Sequence, residues 1–352
     1  MKVLCIGESV LEVTCPVNTQ VAESAKIRTS EKIECGAGHA GNIAYLLGKW
    51  GIETYIASMV GADDKADKIK KELEHVGVKT DFLETSFDKG TGEVVSLINT
   101  TTKNNTIIEM PSYNYLKKFM FTIEPNLIIV DGNDYNATMA AFDRNPKVPR
   151  IMLATNYNNE TLEIAKYVNY LVLNKNLAEQ ITNLKIDFGN STTLVNVYNK
   201  LKEKYNNVGI VITLGERGCM YSYNSQIKVM PPVHVSLEDP NGAIDTFVGA
   251  FAYCFIRSFD LEKAITFATI AASYNVSRLT SRNAIPTLTE VTNYYDSKFS
   301  APTAQVPSGN ASAKVVNTPQ NYAPNMSTTE NEVPNMNTTE STTVNNVNEQ
   351  NS

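Results

Sequence analysis

Asp239-Pro240-Asn241-Gly242-Ala243-Ile244-Asp245-Thr246-Phe247-Val248-Gly249 joins a polar, proline-containing turn to a long apolar stretch. The small residues Gly242 and Ala243 lead directly into Thr246–Ser258, which is apolar on nearly every face and therefore predicts a buried helix. The first turn of such a helix carries backbone N–H groups without partners and the positive end of the dipole, a ready site for an anion. A carboxylate at Asp245 is favoured in that turn. It is also placed to take a proton from a hydroxyl approaching a bound phosphate. Ordinary N-terminal capping by an aspartate fits the same residues, so the segment alone leaves both readings open.

Outward from this segment, short buried runs alternate with amphipathic ones. Strand-like runs fall at Val3–Ile6, Tyr55–Val60, Leu127–Val130, Ile151–Ala154, Tyr170–Leu173 and Gly209–Thr213. Between them Ile43, Leu46, Leu47 and Trp50 fall at helical spacing, as do Ile69, Leu73 and Val76. The alternation predicts an α/β fold: a central, mainly parallel sheet flanked by helices. One region breaks the rhythm. Glu93–Ile98 and Thr106–Met110 are rich in β-formers and flank the polar turn Lys103-Asn104-Asn105, which reads as a hairpin, with Lys32–Glu34 a further candidate strand. Strands within about residues 12–35 and 91–112 would form a small β-lid over the carboxyl edge of the sheet, where ligands bind in such folds. A second late helix is expected over Leu261–Leu279, capped by Asp260.

Several of these stretches together resemble the ribokinase-like (PfkB-type) carbohydrate kinase family. Asn241-Gly242-Ala243-Ile244-Asp245-Thr246-Phe247 is similar to its second signature, and Gly36-Ala37-Gly38-His39-Ala40-Gly41-Asn42 to its first. Gly61-Ala62-Asp63-Asp64 ahead of a helix and Gly77-Val78 match another recurrent stretch, and Thr213-Leu214-Gly215-Glu216-Arg217-Gly218 resembles the nucleotide loop. The motifs occur in order from residue 1 to about 290. The resemblance implies phosphorylation of a sugar or sugar-acid hydroxyl by ATP with Mg2+. Asp245 would be the general base, and the backbone amides of Gly242, Ala243, Ile244 and Asp245 an anion hole. Glu12, Gly38 and Asn42 would contact the sugar, and Asn174, Thr213, Gly215 and Gly218 the nucleotide. It also implies a homodimer through the lid strands. No residue is assigned as a direct metal ligand.

The chain departs from the family pattern at four places. Ile244 stands where the family has a second glycine. Asn174-Lys175-Asn176-Leu177 lacks the carboxylate of the family's Asn-x-x-Glu, and Glu179, further along, is out of register. Glu12 replaces an aspartate, and His39 and Gly41 are unusual inside the sugar motif. These changes keep a second reading in view: a catalytically impaired pseudokinase that binds a sugar or nucleotide as a sensor. A dinucleotide-binding reading of Gly36-x-Gly38-x-x-Gly41 is disfavoured, because the preceding Ile27–Cys35 is polar and no strand-end acidic residue follows about 20 residues later.

The rest of the 352-residue chain limits the alternatives. A net charge of −6 argues against a nucleic-acid partner, which needs clustered lysine and arginine. No run of about 18 apolar residues is present, so no membrane span is expected. Five cysteines at positions 5, 15, 35, 219 and 254 form no metal-ligand or disulfide spacing and suit a reducing cytoplasm. From Ser300 onward the sequence is dominated by Asn, Thr, Ser, Pro and Glu, so residues 1–299 are expected to fold as one domain and 300–352 to form a disordered tail.

Overall fold

Val3, Cys5 and Ile129 face one hydrophobic core, whereas their chain neighbours Leu4, Ile6, Ile128 and Val130 face another. Strands without a polar residue, buried on both sides, put a sheet between two layers of helix. The computed structural model describes residues 1–112, 114–257 and 260–299. The expected disordered tail over 300–352, and Ser258 at the end of the expected apolar helix, lie outside the described residues.

The strands, in chain order, are β1 (Lys2–Ile6), β2 (Val10–Val17), β3 (Ile33–Ala37), β4 (Glu53–Gly61), β5 (Lys79–Ser86), β6 (Glu93–Asn99) and β7 (Asn105–Met110). They continue with β8 (Leu127–Val130), β9 (Arg150–Ala154), β10 (Tyr170–Asn174), β11 (Gly209–Thr213), β12 (Cys219–Tyr223) and β13 (Gln226–Met230). The helices are α1 (His39–Lys49), α2 (Asp64–His75), α3 (Tyr135–Arg144), α4 (Asn159–Ile164) and α5 (Lys175–Thr182), then α6 (Ser191–Lys204), α7 (Ala243–Arg257), α8 (Leu261–Asn275) and α9 (Leu288–Phe299).

Nine strands form the main sheet in the order β13-β12-β11-β10-β9-β8-β1-β4-β5. All neighbours are parallel from β11 through β5, whereas the β11–β12 and β12–β13 pairings are antiparallel, the latter joined through Asn224 and Ser225 at positive φ. The chain leaves β1 toward β4 and β5, then returns to β8 on its other side. Strand order therefore reverses between β1 and β8, and a crevice opens at their carboxyl ends.

The smaller sheet runs β3-β2-β6-β7. Its hairpin, β6 paired antiparallel with β7, falls where the sequence predicts it. Lys32–Glu34 only overlaps the start of the relevant strand: β3 runs from Ile33 to Ala37 and pairs with β2, which itself pairs in parallel with β6. This sheet has the size and place of a lid.

The last expected helix ends early. It stops at Asn275 instead of Leu279, and its Asp260 cap is as expected, accepting from the Lys263 N–H. The reason is local and tertiary together. Thr280 adopts φ 71°, outside the helical region, and its N–H is drawn to the Asp239 carboxylate at 2.9 Å. The chain after α8 is thereby turned back toward α7.

Candidate active site

Gly7 follows β1 at φ 149°, and a side chain there would collide with Asp131, which follows β8. The two strand ends are thus held at the crevice by one carboxylate. Asp131 accepts from the backbone N–H of Glu8 at 2.8 Å, of Asn133 at 3.0 Å and of Ala40 at 3.3 Å. The last of these ties the first turn of α1 to the sheet. Burial raises the Asp131 carboxyl, while these N–H donors and His39 act to lower it.

Asp245 lies in the first turn of α7, its side chain almost wholly buried. One carboxylate oxygen meets Nδ1 of His39 at 2.5 Å, and the other accepts from Nδ2 of Asn42 at 2.8 Å. The far nitrogen of His39 lies 3.1 Å from Thr155 Oγ1, just beyond β9. Burial opposes the charge on His39, but Asp245, then Asp131 and Glu8, raise the imidazole to about 9. His39 is therefore cationic at neutral pH, which fixes its Nδ1–H as the donor to Asp245.

Behind Asn42 stands Arg282, with no exposed surface. Its Nε donates to Asn42 Oδ1 at 3.2 Å, one terminal nitrogen to Glu72 at 3.2 Å and the other to the Ala37 carbonyl at 3.3 Å. The guanidinium also lies 5.3 Å from the centre of the Tyr45 ring. Burial lowers its affinity for the proton, and Glu72 opposes this. A buried guanidinium is tolerable only with such partners.

The backbone leading into α7 resolves the question posed by Ile244. The residue requiring positive φ is Gly242, at 76°, where a Cβ would come within 2.8 Å of the Ser281 backbone. Ile244 is the second residue of α7 and has negative φ, so a β-branched side chain fits and its amide is retained. Asn241 ties this turn to the lid. It donates to Ser96 Oγ at 2.7 Å and accepts from Asn105 at 2.6 Å, while Lys103 pairs with Glu238 at 2.6 Å. Asp239 is fully buried and accepts from the Asn241 N–H, and burial raises its carboxyl to about 6.

The expected sugar-contacting residues reach this place by different routes. Gly38, at φ 88°, precedes α1, and a Cβ there would approach the Glu8 carbonyl to 2.5 Å. Asn42 touches Asp245 directly. Glu12, on β2, instead bonds Thr14 at 2.7 Å and takes both the N–H and the hydroxyl of Ser281. It lies one residue's contact away from Gly242, through Ser281.

The expected nucleotide residues form a second group. Asn174 and Thr213 are register partners at the carboxyl ends of β10 and β11. Asn174 caps α5 by accepting from the Leu177 N–H at 2.8 Å. Gly215, at φ 62°, has open space where a side chain would stand, and Gly218, at φ 83°, lies against the Met230 carbonyl. Among the described residues, no hydrogen bond joins this group to Asp245. Glu179 is buried and bonded to Lys175 at 2.9 Å, Lys185 at 2.8 Å and the Ile186 N–H at 3.0 Å. Burial acts to raise its carboxyl, but these partners hold it at about 2.

Ser281, Arg282, Thr155, Asp131 and Glu8 escaped sequence reasoning. None sits in a recognisable local motif. The resemblance gave no lysine or arginine clamp, and Arg282 was hidden just past what read as a helix.

A model described as pfkB family carbohydrate kinase matches residues 1–288. The bifunctional protein HldE of Aliarcobacter butzleri is 27% identical over 74% of this chain, which spans 56% of that protein's length. The deoxyribokinase of Salmonella typhi is 22% identical over 84% of this chain and 98% of its own. The crystal structure of ribokinase from Cryptococcus neoformans var. grubii serotype A in complex with ADP superposes with a TM-score of 0.69. It is 19% identical, over 83% of this chain and 99% of that one.

Proposed function

The chain belongs to the pfkB family of carbohydrate kinases, and from that premise we propose that it transfers the γ-phosphoryl group of ATP to a hydroxyl of a sugar or sugar acid. Residues 1–299 make up the kinase domain in this reading. The observation that carries it is the Asp245 carboxylate, buried in the first turn of α7 directly after a glycine at positive φ.

Asp245 acts as general base. As the acceptor oxygen forms its bond to the γ-phosphorus, the hydroxyl proton passes to a carboxylate oxygen and the bond to the leaving ADP oxygen breaks. His39 and Asn42 donate one bond each to the carboxylate, and each of its oxygens keeps a lone-pair site for the substrate. The amides of Gly242, Ala243, Ile244 and Asp245 at the start of α7 offset charge on the transferred group. Positioning and electrostatics of this kind carry phosphoryl transfer. Gly38, Asn42 and Glu12 orient the sugar, and the lid excludes water that would otherwise hydrolyse ATP.

Asn174, Thr213, Gly215 and Gly218 receive the nucleotide, a role favoured by the open space beside Gly215. Mg2+ accompanies the phosphates, keeps several waters and needs few protein oxygens. Glu179, held by two lysines, offers it no free carboxylate. The five free cysteines suit a reducing cytoplasm. Among the described residues no helix is long and apolar enough to cross a membrane. A homodimer through the lid is favoured by the outer edge of β7, where Ile107, Ile108 and Met110 are 45%, 49% and 45% exposed.

A second reading, a sugar- or nucleotide-binding sensor without turnover, is favoured by Glu12, whose carboxylate is committed to Thr14 and Ser281. Magnesium-dependent ADP release from ATP, measured with ketoses, pentoses, sugar acids and nucleosides, separates the two. Stimulation by a sugar supports the kinase. Ligand binding in a thermal-shift assay with no ADP release supports the sensor.

A further inference from the structure

We infer that His39 is a positioning residue for the transfer step: it holds the Asp245 carboxylate in place, and its positive charge is left for the transferred phosphoryl group once Asp245 has taken the acceptor proton. This role rests on the kinase reading and deepens it, by naming the side-chain cation that works beside the base.

His39 is the first residue of α1 and follows Gly38, which has φ 88°. The helix dipole disfavours a cation in a first turn, so helix capping does not account for the residue. Other elements hold it instead. Its Nδ1–H meets Asp245 Oδ1, on α7, at 2.5 Å, and its Nε2 lies 3.1 Å from Thr155 Oγ1, just beyond β9. An ionised carboxylate can only accept, so the proton in the shorter contact belongs to the ring. The His39 side chain is 27% exposed and that of Asp245 6%, which makes the imidazole the more accessible member of the pair. Burial acts against its charge, and Asp245 on α7, then Asp131 beyond β8 and Glu8 beyond β1, raise it to about 9. Arg282 does not take this part. It is wholly buried behind Asn42 and shared among Asn42, Glu72 and the Ala37 carbonyl.

The charges change during the reaction. Before transfer, imidazolium and carboxylate cancel, and a neutral sugar meets no net charge there. As the acceptor oxygen bonds to the γ-phosphorus and the ADP oxygen departs, the hydroxyl proton arrives on Asp245, which becomes a neutral carboxylic acid. His39 keeps its own proton and is left without a counter-ion beside the site of transfer. A phosphate monoester carries between one and two negative charges near neutral pH, more than the one charge that Asp245 gives up. At comparable distance the attraction gained therefore exceeds the attraction lost. An interaction that strengthens along the reaction contributes to turnover and little to sugar binding.

The test uses the full-length chain with MgATP and a sugar that stimulates ADP release, from about pH 6 to about pH 10. Circular dichroism at each pH verifies that the chain is folded. In the unaltered chain kcat should fall as pH rises through about 9, where His39 loses its charge. His39→Gln keeps a donor without the charge. It should lower kcat about 10- to 100-fold near neutral pH, leave sugar binding by calorimetry within about threefold, and lack the alkaline fall. Parallel pH profiles for the two proteins, or sugar binding weakened as much as kcat, would mean a merely structural residue and overturn the inference while leaving the kinase intact. Where His39→Gln does not fold, the unaltered chain decides: a fall through about 9 sustains the inference, and a flat kcat overturns it. Absence of ADP release with every sugar tried overturns the kinase reading, and this inference with it.

Discussion

Arg282 donates its Nε–H to Oδ1 of Asn42, 3.2 Å away, and this bond sets which way the Asn42 amide faces. With the oxygen turned toward the guanidinium, the NH2 group is left for Asp245. A wholly buried charge on the last loop thus orients a side chain of α1 against a carboxylate of α7.

Removing that charge alone should be costly. Arg282→Met takes one partner from Asn42, which keeps Asp245, and one from Glu72, which keeps Lys68 and the Gly36 N–H, and is expected to destabilise the fold by about 3 kcal/mol, the lower end of the cost of breaking a buried pair. The double variant with Glu72→Gln should lose less than the sum of the two single changes. Additive losses in urea unfolding would show that the two side chains are not coupled.

Asp245→Asn tests the proposed base. Turnover should fall by roughly 10²–10⁴-fold, the range for loss of general base catalysis, with sugar binding retained by calorimetry. Turnover equal to that of the unaltered chain would remove Asp245 from the role.

Ile244 and Gly242, both just ahead of Asp245, should respond differently to substitution. Ile244→Gly is expected to bring no gain in turnover, because position 244 is already helical, and to cost about 1 kcal/mol in stability. Gly242→Ala should lower both stability and turnover, since its Cβ would strike the Ser281 backbone at a φ unsuited to alanine. A large activation by Ile244→Gly would contradict the helical geometry.

The His39–Asp245 pair predicts a pH dependence. His39 is held at about 9 in the folded chain against an ordinary value of 6.5. Its stabilising contribution is therefore full below 6.5 and is lost as pH rises through about 9. Urea midpoints from about pH 6 to about pH 10 should show His39→Gln less stable than the unaltered chain at the acid end, with the difference shrinking at the alkaline end. A difference that grows with pH would reverse the sign and disprove the pairing.

What the sequence displays and what it hides divide along chemical lines. Strands such as Leu127–Val130 are legible because burial on both faces demands an unbroken apolar run. The β6–β7 hairpin is legible from its turn, where Lys103 takes positive φ. Asp245, Gly242 and Asn42 stand out because signatures keep them in short, regular runs. Ser281 and Arg282 do not, since they act through partners 269 and 240 positions away and leave no periodic mark nearby. Glu12 was visible as a residue but not as a contact. Its bond to Ser281 depends on the chain turning at Thr280, where propensity predicts more helix.

These separations also bear on the order in which the protein is made. Asp245 meets Asn42 across 203 positions, and Arg282 reaches it across 240. Synthesis proceeds from the N-terminus, and domains tend to fold as units. A nascent chain can therefore lay down β1, β4 and α1 early, yet the crevice lacks both the Asp245 carboxylate and its buried guanidinium until residue 282 has been added. During that interval the half-built sheet holds the crevice without the residues proposed to carry phosphoryl transfer, so an incomplete translation product is expected to be inert toward ATP instead of a wasteful hydrolase.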